Sequence, residues 1–113
     1  MLDELQVIKD GDVMHRGTTP SFTFGLQFDT SCIEKLNIAF SQVGEVLVLR
    51  TIESPDLILK DNLITVTLTQ EETILFDCKQ NAEIQLRIKI GDSVVASDII
   101  RVDVRRILEE EIL

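Results

Sequence analysis

The residues best equipped for chemistry stand together. His15, the only histidine, is followed by Arg16, Gly17, Thr18 and Thr19, which gathers an imidazole, a guanidinium and two hydroxyls in one short run. A general base needs a nucleophile or substrate within reach and a third group that orients it. No Gly-x-Ser-x-Gly elbow, phosphate loop or His-x-x-x-His pair accompanies this histidine. The run therefore reads either as the rim of a site or as the way one strand enters a sheet, and the sequence favours the second. Gly17 fits a tight turn that needs positive φ, and Pro20 sets the entry to the next strand. No catalytic residue is assigned, and the chain is read as non-enzymatic.

Carboxylates are numerous, but their spacing is ordinary. Glu71-Glu72 and Glu109-Glu110-Glu111 are adjacent runs, as on solvated faces and helix ends. Asp10-Gly11-Asp12 is a two-acid loop, short of the ligand density of a calcium-binding loop of roughly twelve residues. Cys32 and Cys78 lie 46 residues apart, without the close pairing of a zinc site. They read as two buried free thiols acting as small hydrophobes rather than as a disulfide. No cofactor or metal is assigned.

The totals limit what such residues could serve. A chain of 113 residues makes one domain with a single core. With 11 basic residues against 20 acidic and a net charge of −9, it has the wrong balance for counterion release from nucleic acid or for an anionic membrane. No apolar run approaches the roughly 18 residues that span a bilayer. The opening MLDELQVIKD lacks the basic and apolar regions of a secretory signal. The expectation is a chain that is cytoplasmic when made and open to packaging in a larger particle.

Period two dominates the pattern. Phe22, Phe24, Leu26 and Phe28 share one face, and so do Leu36, Ile38 and Phe40. The same holds for Ile64, Val66 and Leu68, for Ile84, Leu86, Ile88 and Ile90, and for Ile100, Val102 and Val104. Each set alternates with polar residues, which predicts antiparallel strands with one wet face. Strands are expected near 12–16, 21–28, 35–42, 45–51, 57–60, 63–68, 83–90, 93–97 and 98–105, spaced as in an all-β sandwich of about seven to nine strands. Gly91-Asp92 predicts a two-residue hairpin loop. Thr69 and Glu72 form a capping-box pair that predicts a short helical turn near 69–73. The ending RRILEEEIL could form a marginal helix with Leu108 and Ile112 on one face. The domain core is expected over about 12–105, with 1–11 and 106–113 docking on it or flexible.

All five aromatics are Phe, and four of them fall on inward faces. Sandwiches that hold sugars or single strands commonly use Trp and Tyr as stacking platforms. A small carbohydrate- or calcium-binding domain is therefore the alternative reading. Surfaces for another protein are easier to name. The strand EVLVLRT is apolar on both faces through Val46, Leu47, Val48 and Leu49. Leu57, Ile58 and Leu59, and the terminal Ile107, Leu108, Ile112 and Leu113, add apolar surface beyond what a lone sandwich needs. Three such segments point to self-association or docking.

Four stretches in order carry a family likeness: RGTTPSFTF (16–24), LTQEET (68–73), AEIQLRIKI (82–90) and ASDIIRVDV (96–104). Together they resemble small prophage-encoded proteins of Firmicutes and, more distantly, the N-terminal domain of siphophage baseplate upper proteins. In the latter an Arg-Gly-Asp-Thr opening precedes an alternating strand, and a Thr-x-x-Asp/Glu-Thr turn precedes the last strands. Here Thr18 stands where that pattern has Asp. The likeness spans about residues 12–105. It implies an immunoglobulin-like sandwich used as a structural or assembly module in a phage tail or related particle, and it carries over no catalytic residue. The partners it implies are other phage structural proteins or further copies of this chain.

Overall fold

The computed structural model describes the backbone of residues 7–10 and the whole of residues 13–113. Ten strand segments follow in order: β1 (Val7–Asp10), β2 (Val13–His15), β3 (Ser21–Leu26), β4 (Lys35–Gln42), β5 (Glu45–Thr51), β6 (Leu57–Lys60), β7 (Leu63–Thr67), β8 (Ala82–Ile90), β9 (Ser93–Ala96) and β10 (Ile100–Arg105). A 3-10 turn, Thr30–Cys32, and one short helix, α1 (Gln70–Ile74), interrupt them. The order β1-β3-β7-β6 makes one sheet, and β2-β10-β8-β4-β5 makes the other, with β9 also on β8. This is the immunoglobulin strand order, A-B-E-D facing A′-G-F-C-C′. Among the described residues, only β2 runs parallel to its neighbour, β10.

The alternation read from the sequence fills the space between the sheets. Phe22 and Phe24 from β3 and Ile64 and Val66 from β7 meet Ile38 and Phe40 from β4 and Ile84, Leu86 and Ile88 from β8, all fully buried. The Phe22 and Phe40 rings, one from each sheet, lie 5.7 Å apart and tilted. Each such side chain stabilises the fold by about 1.5–3 kcal/mol on burial.

Two bulges adjust the register. On β5, Ser41 of β4 faces Val46 while Phe40 faces Val48, so Leu47 is the extra residue. Along the last strand, Arg87 faces Ala96 but Ile84 faces Ile100, so β9 and β10 are one strand broken by a single extra residue. Ser97 fills that break: its Oγ accepts from Leu86 N–H (3.0 Å), and its own N–H donates to Leu86 O (2.9 Å).

Three expectations from the sequence are corrected. Residues 7–10, absent from the expected strands, form one paired with β3. Residues 106–113 form no helix. The tail is instead tied to the body at its end, where Leu113 exchanges two hydrogen bonds with Gln70, and at Glu110, which bonds Arg16. Cys32 and Cys78 are both exposed rather than buried, because each sits in a turn outside the strand alternation.

Candidate functional site

The run that opened the question of chemistry is a structural clasp. His15 ends β2 beside Arg105 and is exposed, and its carbonyl accepts from Thr18 Oγ1 (2.7 Å). Gly17 takes φ +74°, and a Cβ there would lie 2.8 Å from Ile107 Cδ1. Its N–H donates to Thr73 Oγ1 (2.9 Å), and that buried hydroxyl reaches the Thr18 carbonyl (3.0 Å). Arg16 Nη2 donates to Ile74 O (3.0 Å), while Nη1 bonds the Glu110 carboxylate. The Arg-Gly-Thr turn and the Thr-Gln-Glu-Glu-Thr turn, two of the stretches behind the family likeness, thus hold each other.

Both sides of the clasp are built locally. Thr69 Oγ1 accepts from Glu72 N–H (3.2 Å), and Glu72 Oε1 accepts from Thr69 N–H (2.9 Å), which closes the capping box that opens α1. Glu72 also receives Arg50 of β5, whose Nη1 and Nη2 donate at 2.7 and 2.5 Å. Arg50 Nε donates to Asp56 as well (3.0 Å). Arg50's side chain is only 11% exposed. The hydrogen bond from Arg50 is the main cause that lowers the Glu72 pKa, and the bond to Glu72 raises that of Arg50. The last residues lie over α1: Leu113 N–H donates to Gln70 Oε1 (2.8 Å), and Gln70 Nε2 donates to Leu113 O (3.1 Å).

The apolar residues singled out from the sequence divide into two groups. Val48 is a core residue at 4% exposure, and Leu47, Leu57 and Leu59 pack partly buried against that core. The bulge explains the pair on β5: it turns Leu47 inward beside Val48 and breaks the expected alternation. Val46 and Leu49 remain outward and exposed, with Val94 and Ile99 exposed on β9 and just after it. Ile107 is half-buried beside Gly17, and Ile112 is exposed. Leu108 and Leu113 are each 98% exposed. Ile58, named from the sequence with Leu57 and Leu59, is outward and exposed; sequence reasoning missed Val94 and Ile99, whose apolar neighbours Val95 and Ile100 drew the reading inward.

The Asp10-Gly11-Asp12 loop considered for calcium lies outside the described residues. Among the described residues, no group of three His, Cys, Asp or Glu side chains is placed to hold a metal ion. No described helix is long and apolar enough to cross a membrane. In comparisons with known proteins, no family model and no curated protein matches this chain.

Proposed function

We propose that this chain is a non-enzymatic structural or assembly module of phage origin, acting through protein–protein contacts in a tail, a baseplate or a related particle. The observation that carries the reading is the distribution of apolar surface. A small sandwich with a filled core leaves Val46, Leu49, Val94 and Ile99 outward on one sheet and Leu108 and Leu113 bare on the tail. Apolar side chains left outside a filled core in this way support contact with another protein rather than stability. The local chemistry of His15, Arg16 and Thr18 agrees with it, since the His15 carbonyl, the Arg16 guanidinium and the Thr18 hydroxyl all serve the clasp. Deleting the gene and imaging lysates after prophage induction tests the reading. Incomplete or missing tails are the expected outcome; complete particles in undiminished number would overturn it.

A further inference from the structure

The outer face of the larger sheet carries a trough that is basic at its Lys35–Lys89 end, on a strongly acidic chain. In register, Lys35, Asn37, Ala39 and Ser41 of β4 oppose Lys89, Arg87, Gln85 and Glu83 of β8. Lys35 and Lys89 face each other directly, a like-charge cross-strand pair that works against strand pairing. Arg87 comes next on the same face, and a neutral group holds it. With its amide turned so that Nδ2 donates to Leu36 O (3.1 Å), Asn37 Oδ1 accepts from Arg87 Nη2 (3.0 Å). Among the described residues, no carboxylate lies within ion-pair distance of Lys35, Arg87 or Lys89. The chain nevertheless has 20 acidic residues for 11 basic ones. Three cations gathered without counter-ions, at a cost to the sheet, are what an external anion would complete.

The shape indicates what kind of anion. Lys35, Arg87, Lys89 and Val94 border an open cleft of about 290 Å³. A second hollow of about 120 Å³ lies further along, over Ala39, Ser41, Glu83 and Gln85 and between Val46 and Ile99, and there the Glu83 carboxylate is paired with Arg101 (3.5 Å). From Lys35 to Ser41 the trough is about 20 Å long, room for roughly six residues of extended chain. We propose that it binds an acidic polypeptide segment of a partner protein. Carboxylates would sit at the Lys35–Arg87–Lys89 end and apolar side chains between Val46 and Ile99. This rests on the protein-contact reading above but not on a phage particle as the setting, so failure of one leaves the other standing.

Titrating the ¹⁵N-labelled protein at low salt with hexaglutamate, citrate and oligothymidylate provides the test, alongside the variant Lys89→Glu. That variant replaces a like-charge pair with an opposite-charge pair, so it folds and melts no lower than the parent. Hexaglutamate is expected to shift the amides of Lys35, Asn37, Arg87 and Lys89 saturably, and Lys89→Glu to weaken its binding at least about tenfold. Shifts that do not saturate, or that survive Lys89→Glu unchanged, would overturn the proposal. Equal binding of citrate at matched carboxylate concentration would overturn it in favour of a free-carboxylate site. Equal binding of oligothymidylate would overturn it in favour of nucleic acid.

Discussion

Single residues decide how the turns close. Gly17→Ala places a Cβ 2.8 Å from Ile107 Cδ1 and forces an L side chain to φ +74°. The expected loss is about 1–2 kcal/mol in a denaturant melt. Thr73→Val keeps the shape but leaves Gly17 N–H and the Thr18 carbonyl without their partner, at a cost of about 1–3 kcal/mol by the same measurement. Val43 is the opposite case: it sits at φ 49° in the β4–β5 turn, followed by Gly44 at φ 79°. Gln42 holds this turn, with Nε2 donating to Asp77 O (2.7 Å) and Gln80 O (3.0 Å). Val43→Asn, a residue suited to that turn, should raise stability by about 0.5–1 kcal/mol; an unchanged melt would show that the turn stores no strain. Gly17 and the Thr69–Glu72 box were legible because their chemistry is local. Val43 at positive φ was not, since a β-branched side chain argues against that conformation. The two thiols were misread because residue type suggests burial while position in a turn decides exposure.

At the scale of elements, the Arg50–Glu72 pair ties β5 to the helix between β7 and β8. The folded state holds the Glu72 pKa below its ordinary 4.5. Its contribution to stability is therefore complete above about pH 4.5 and is lost as pH falls through the lower folded value. Urea melts from about pH 6 to about pH 3 should show the parent losing stability in that acid window. Arg50→Met should be less stable by about 2 kcal/mol at neutral pH and lose less on acidification. Parallel pH profiles would mean that the pair contributes nothing. Strands with clean alternation, β3, β4, β7, β8 and β10, could be read directly from period two. The role of β5 could not, because the extra residue at Leu47 puts Leu47 and Val48 on one side and makes an edge strand look two-faced. The tail's spacing allows at most a marginal helix, while its observed anchors, Arg16 to Glu110 and Gln70 to Leu113, are distant in sequence and leave no local signal.

For the whole molecule, composition and periodicity reach a two-sheet sandwich, while strand order comes only from pairing. The basic trough shows why: Lys35 and Lys89 look like ordinary solvated lysines until β4 and β8 set them opposite each other. A filled core, a clasp that occupies the residues best suited to chemistry, and apolar surface outside that core together support a role carried by surfaces. Quantitative mass spectrometry of density-gradient-purified particles, after prophage induction in the source bacterium, tests that role most directly. The account predicts this chain at a fixed ratio to the tail proteins across the particle fractions. Finding it only in the soluble lysate, while tail proteins sediment with the particles, would contradict a place in the particle.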